Sequence, residues 1–240
     1  MKLSIIVPAF NEEKLLGETL ASIRNSLIGL ADGWTSEILV CDNNSTDRTA
    51  EIARAAGATV VFEPVNQIAR ARNAGAAQAS GDWLVFVDAD SQPSIGLFSE
   101  VFEKINEGKA LAGGSTVRLE AEQPLIRFWI GAWNALSRLN RWAAGSFIFC
   151  EAGAFRELGG FDEKFYAGEE IDFSRRAKRL AQRKGRAMLI LHRHPLLTSG
   201  RKAKLYSMTE FFFFFLKTIV TAGRTLRRKD DCHAWYDGRR

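Results

Sequence analysis

Two aspartates, Asp88 and Asp90, follow the apolar run Trp83-Leu84-Val85-Phe86-Val87, with Ala89 between them. On an extended segment residues i and i+2 point to the same side, so both carboxylates leave the strand end together. Such a pair can hold Mg²⁺ or Mn²⁺, hard cations that prefer oxygen ligands. A D-x-D motif alone is a weak signal, and Asp90 or Ser91 could instead cap the helix expected after Pro93. Its position at the exit of a buried strand favours the metal.

Asp42-Asn43-Asn44-Ser45-Thr46-Asp47 ends another strand. Asp42 emerges where a base edge could be read, while Ser45 or Thr46 can cap the next helix and Asp47 reads as structural. Arg72, beside Asn73, puts a guanidinium near the same strand ends, to pair with a phosphate or with Asp42; Arg70 reads as solvated. In Gly168-Glu169-Glu170-Ile171-Asp172-Phe173-Ser174-Arg175-Arg176, Glu170 and Asp172 point nearly opposite ways on a helix. Asp172 and Arg176 are spaced as an i, i+4 ion pair. Acids clustered at a helix start are also what the macrodipole favours.

The first loop, Pro8-Ala9-Phe10-Asn11-Glu12-Glu13, has no glycine to let a pyrophosphate reach a helix N-terminus. Its carboxylates would repel a diphosphate, and there is no Walker-type G-x-x-x-x-G-K. A bound nucleotide would place its base here and have its phosphates neutralised elsewhere. Glu13 serves the helix dipole equally well.

The elements that must position these groups read as alternating short apolar runs and helices. Residues 3–7, 37–41, 58–62 and 83–87 are predicted strands. Residues 12–26, the stretch through Ala56, and 68–79 are predicted helices. That alternation implies a parallel sheet with right-handed crossovers, whose ligands bind beyond the carboxyl ends of the strands. Further on, 110–118, 146–150 and 187–191 read as strands, 125–142 as a helix with aromatics at helical spacing, and 168–183 as a helix.

The chain has 240 residues, 46% of them hydrophobic, which suits one large α/β domain or one domain with an appendage and excludes disorder or a disulfide scaffold. Three widely spaced cysteines, Cys41, Cys150 and Cys232, form neither metal-ligand spacing nor a disulfide frame. The N-terminal apolar run is too short for a signal peptide. The expected location is cytoplasmic, with the inner face of a membrane as an extension of it. The net charge of +5 collects late in the chain and suits phosphorylated substrates or an anionic membrane; no nucleic-acid partner is expected.

Taken in order, Pro8 to Glu13, Asp42 to Asp47, Ala71-Arg72-Asn73-Ala74-Gly75, Asp88-Ala89-Asp90, Gly159-Gly160-Phe161-Asp162-Glu163 and Gly168 to Arg176 resemble glycosyltransferase family 2, over residues 3 to 180. The resemblance implies a GT-A fold, a Rossmann-like, mostly parallel α/β sheet flanked by helices. The catalytic domain would be 1–200 (nucleotide half 1–110, acceptor half 111–200), with 201–240 a C-terminal helical segment. It also implies an inverting, metal-dependent transfer from a nucleotide-diphosphate sugar, with uridine favoured. Pro8, Ala9 and Glu12 would line the base and ribose pocket, Asp42 would read the base, and Arg72 would support it or the diphosphate. Asp88 would contact the ribose and share the metal with Asp90. The family's general base is the aspartate of a glutamate-aspartate pair, and Glu170 stands in its place; Asp172 is the runner-up. His194 sits where many such enzymes carry a late metal ligand, and Arg201 where a loop binds diphosphate.

Met208 to Gly223, with Phe211-Phe212-Phe213-Phe214-Phe215-Leu216, is too interrupted by charge to span a bilayer. Burial against the domain or a second subunit is the plain reading. Peripheral membrane contact is the sharper one, and it would suit a lipid-linked rather than a saccharide acceptor. A nucleotidyltransferase, or a non-catalytic nucleotide-sugar binder of the same fold, are the competing functions; the first normally carries a glycine-rich, basic first loop.

Overall fold

The computed structural model describes residues 1–28, 33–119, 124–201, 217–218, 221 and 223–232. The strands are β1 (Lys2–Ala9), β2 (Thr35–Asp42), β3 (Thr59–Phe62), β4 (Trp83–Val87), β5 (Ser91–Gln92), β6 (Ala110–Leu119), β7 (Phe147–Glu151) and β8 (Ala187–Thr198). The helices are α1 (Leu16–Leu27), α2 (Thr49–Ala55), α3 (Ile68–Gln78), α4 (Ile95–Asn106), α5 (Pro124–Asn140), α6 (Ala152–Glu157) and α7 (Glu169–Arg183).

One sheet runs β3-β2-β1-β4-β7-β6-β8-β5 and crosses residue 110 without a break. Parallel pairing joins β3, β2, β1 and β4. β7 is antiparallel to both β4 and β6, β6 and β8 are parallel, and β5 closes the edge antiparallel to β8. β4 is apolar along its length, and β1 is apolar from Ile5 to Ala9, because helices cover both faces. On one face Leu16, Leu20 and Ile23 of α1 meet Leu97 and Val101 of α4 in a single core. On the other, Phe155, Phe161 and Phe173 stack around Phe86. α3 lies so close to the sheet that a Cβ on Gly75 would stand 2.5 Å from Cys41 Sγ and 2.6 Å from Ile6 Cγ2. Only glycine allows that approach.

Several boundaries differ from expectation. α1 starts at Leu16 rather than Glu12, and Glu12 instead accepts backbone bonds from Leu15 and Leu16 in a preceding turn. The cap of α4 is neither Asp90 nor Ser91 but Ser94, whose Oγ accepts the Leu97 N–H at 3.2 Å. Neither Ser45 nor Thr46 caps α2: its N-cap is Arg48, with no side-chain capping bond, and Asp47 Oδ1 accepts the N–H and hydroxyl of Thr49 at the helix start. β8 runs on through His192, His194 and Pro195 to Thr198, and α6 has no counterpart in the sequence reading. Phe211 to Leu216 lies outside the described residues. Arg224–Arg227 and Lys229–Asp231 form 3-10 turns that dock beneath the loop before α7, where the Leu226 carbonyl accepts Tyr166 N at 2.7 Å. Among the described residues, no helix is long and apolar enough to cross a membrane.

Candidate active site

The adjacency of β2, β1 and β4 brings the predicted loops into one row at the carboxyl ends of the strands. Pro8 pairs in register with Cys41 and Ala9 with Asp42, all four buried. Two asparagines in the left-handed region, Asn11 (φ 53°) and Asn44 (φ 65°), turn these loops sharply. The loops then lock together. Asn11 N donates to Ser45 Oγ at 3.0 Å, and Thr46 N donates to Asn11 Oδ1 at 2.8 Å. Asp42, 7% exposed, accepts the Ser45 N–H at 3.0 Å. Asn43 fastens the neighbouring loop, donating to the Glu63 and Val65 carbonyls and accepting from Gln67 N.

Arg72 is the hub. It projects from α3 with 1% of its side chain exposed and meets neither Asp42 nor open solvent. Nη1 donates to Glu169 Oε1 at 2.6 Å, and Nη2 donates to Asp88 Oδ1 at 3.0 Å and to the Gly145 carbonyl at 2.8 Å. Its guanidinium also lies over the Phe161 ring, 5.3 Å from the centroid. Burial opposes the charge, but Asp88, Glu169 and Glu170 more than compensate and hold it protonated. Asn73, its neighbour, grips the backbone of Phe161 in both directions at 2.9 Å. Gly160 (φ 72°) must be glycine there, since a Cβ would stand 2.6 Å from Asn73 Oδ1.

The two base candidates separate cleanly. Asp172 Oδ2 accepts Arg176 Nε at 2.7 Å, and Arg176 goes on to the Leu158 and Gly160 carbonyls, so this pair braces a turn. Glu170 faces the hub instead. A Cβ on Gly145 would lie 3.2 Å from Arg72 Nη2 and 3.6 Å from Glu170 Cδ. Burial, reinforced by the negative charge of Glu169, pushes the Glu170 carboxyl up from 4.5 to about 8 against the pull of Arg72.

At the other end of the row, Arg201 reaches back to the first loop and forms a two-pronged pair with Glu12 at 2.7 and 2.9 Å. It also stands 3.7 Å from Asp90 Oδ2, which accepts Ser199 Oγ–H at 2.7 Å. Glu12 is therefore not a bare carboxylate facing a diphosphate. His194 is exposed, with its ring against Gly96 in the first turn of α4. Among the described residues no three His, Cys, Asp or Glu side chains gather as a metal cage. Asp88 and Asp90 still offer the oxygen ligands that Mg²⁺ and Mn²⁺ take, and Mg²⁺ usually completes its shell with phosphate oxygens and water. The donor set fits a cation shared with a phosphorylated ligand.

Sequence reasoning missed Glu169, Gly145 and Ser199. An acidic helix start hid Glu169 behind the dipole argument, and the contacts of Gly145 and Ser199 arise only through tertiary folding.

A family model described as Glycosyl transferase family 2 matches residues 4–157. The dolichol-phosphate mannosyltransferase of Pyrococcus furiosus is 36% identical over 123 residues, 48% of this chain and 33% of that protein. The GalNAc(5)-diNAcBac-PP-undecaprenol beta-1,3-glucosyltransferase of Campylobacter jejuni is 30% identical over 182 residues, covering 70% and 57% respectively. This chain thus spans about a third to three-fifths of the length of these relatives. Among solved structures, the mannosyltransferase PcManGT of Pyrobaculum calidifontis in complex with GDP-Man and Mn²⁺ superposes with TM-score 0.64 at 20% identity, over 81% of this chain and 56% of that one. S. aureus TarS 1-349 in complex with UDP-GlcNAc gives TM-score 0.65 at 18% identity, over 98% and 69%. The eight-stranded sheet flanked by helices is the GT-A fold, and the chain belongs to glycosyl transferase family 2.

Proposed function

We propose that this chain transfers a sugar, with inversion, from a nucleotide-diphosphate donor to an acceptor hydroxyl, with Glu170 as the general base. The observation that carries the reading is the convergence of Asp88, Glu169 and Glu170 on one buried guanidinium, Arg72, next to the D-x-D turn. Pro8, Ala9 and Asp42 line the base and ribose end of the row. Asp88 and Asp90 would hold a divalent cation, with Mn²⁺ or Mg²⁺ stabilising negative charge on the departing diphosphate when bound. Arg201, within reach of Asp90 and held by Glu12, supplies a fixed positive charge at the same end. Arg72 fixes Glu169 and Asp88, so the Glu170 carboxylate approaches the acceptor from a rigid wall. As the acceptor oxygen attacks the anomeric carbon, Glu170 takes its proton.

A uridine donor is the first to test, since the TarS complex holds UDP-GlcNAc, and a guanosine donor is the second, since the PcManGT complex holds GDP-Man. Two relatives carry dolichol-phosphate and PP-undecaprenol in their names, which supports a lipid-linked acceptor. The test is release of free nucleoside diphosphate from a panel of nucleotide sugars with Mn²⁺. Release above that of Glu170→Gln is expected with one donor. Sugar 1-phosphate released in place of nucleoside diphosphate would make the chain a nucleotidyltransferase, and no release from any donor with any lipid-linked saccharide or free saccharide acceptor would leave a binding protein.

A further inference from the structure

Helix α5 is apolar on two sides, and among the described residues the fold covers only one of them. On that side Ile130 and Trp133 pack against the core, and Asn134 exchanges two hydrogen bonds with the Val117 backbone at 3.0 and 2.9 Å. At about 100° per residue, Leu125, Phe128, Trp129, Leu136 and Leu139 fall on a second arc roughly 100° wide. All five are exposed, Phe128 by 66% and Leu139 by 81%. Gly131 and Ala135 extend the arc to about 160° without adding a charge, and Arg127 and Arg138 border it along one edge. A helix apolar nearly all round is normally covered on both sides.

Charge identifies the cover. No acidic residue occurs from Pro124 to Cys150, while Arg127, Arg138 and Arg141 are all cationic. A second copy of this chain, seated face to face with α5 antiparallel, would set these arginines against their own images. The segment from Arg201 to Lys229 holds an apolar run, Phe211 to Leu216, but carries eight basic residues against one acid, Glu210, so its charge repels these arginines. An anionic lipid surface supplies both requirements, an acyl boundary for the arc and phosphates for the arginines. We infer that α5 lies in the interface of an anionic phospholipid bilayer, with Phe128 and Trp129 inserted. The docking needs no transfer activity. If the proposed transfer also holds, the short connection from Asn140 to Gly145, whose carbonyl accepts from Arg72, sets the Arg72 hub beside the membrane surface.

The test is flotation of the whole chain with phosphatidylglycerol vesicles and with phosphatidylcholine vesicles. Wild type is expected to float with the first and at least tenfold less with the second. Phe128→Glu/Trp129→Glu and Leu139→Glu should each lower binding at least tenfold, while Ile28→Glu, at an exposed apolar position outside α5, should leave it unchanged. Near-ultraviolet dichroism checks folding, and Leu139→Glu carries the result if the double variant unfolds. Wild type that stays at the bottom of the gradient overturns the inference, as does binding indifferent to the α5 substitutions. A dimer split by Leu139→Glu without vesicle binding overturns it in favour of a self-interface.

Discussion

Arg72 and Glu169 meet at 2.6 Å, although 97 positions separate them in the chain. This contact carries the first turn of α7 to the end of β4, because the same guanidinium also holds Asp88. Removing it leaves two carboxylates in a shielded place without their cation. Arg72→Ala is expected to lower stability by about 3–5 kcal/mol, the usual cost of breaking a buried pair from one side. Arg72→Lys keeps the charge but not the forked geometry, so it should recover part of the stability and little of the activity. Urea unfolding read beside donor turnover checks both; equal turnover in Arg72→Lys and wild type would deny the hub its positioning role.

The Glu170 carboxyl, pushed up to about 8 by burial and by Glu169, gives the reaction a pH signature. A general base works as the carboxylate, so kcat/KM should climb with pH and level off above about 8. Stability moves the other way. The folded state binds a proton between 4.5 and about 8 that the unfolded chain has already released, so stability falls as pH rises across that window. Glu170→Gln removes the slope. It should melt higher than wild type in mildly alkaline buffer while losing about 100- to 10,000-fold in transfer. Parallel melting curves of the two proteins against pH would expose the error if Glu170 titrates in the ordinary carboxylate range.

Asp172 supplies the contrasting case. Its pair with Arg176 is about a third exposed on each side, 30% and 27%, so its strength is that of a screened surface contact. Asp172→Asn should cost about 1 kcal/mol or less and leave most of the transfer in place. Loss of turnover as severe as in Glu170→Gln, with the melting temperature unchanged, would move the base to Asp172.

The sequence made the row of strand-end loops legible because continuous apolar runs and Asn/Asp-rich turns recur at the spacing of β-α units. The later half was harder. β7 enters antiparallel between β4 and β6, and nothing in Phe147 to Glu151 announces direction, since an apolar strand buried on both faces looks alike either way. The D-x-D turn, Arg72 and Glu170 could be read from type and position. Their partners could not, because Glu169, Gly145 and Ser199 come from elements joined only by the folded sheet. The partner of Glu12 was hidden for the same reason: Arg201 lies 189 positions away.

Asp90 offers the most direct probe of the expected cation. One of its oxygens, Oδ2, is engaged by Ser199 at 2.7 Å, and Arg201 stands 3.7 Å away, so the carboxylate is held in place before any ligand arrives. Asp90→Asn preserves an acceptor for Ser199 and nearly the same volume, but it removes the negative charge that attracts a divalent ion. The fold should therefore persist, with a melting temperature within a few degrees of wild type, since the change is close to isosteric and 15% of the side chain is exposed. Stabilisation by nucleoside diphosphate should split in two: the part seen without metal remains, and the increment added by Mn²⁺ disappears. Ser199→Ala, which frees Asp90 without neutralising it, should keep the Mn²⁺ increment. Thermal shift with UDP and GDP, each with Mn²⁺ and with EDTA, measures both variants, and an undiminished Mn²⁺ increment in Asp90→Asn would remove Asp90 from the metal site.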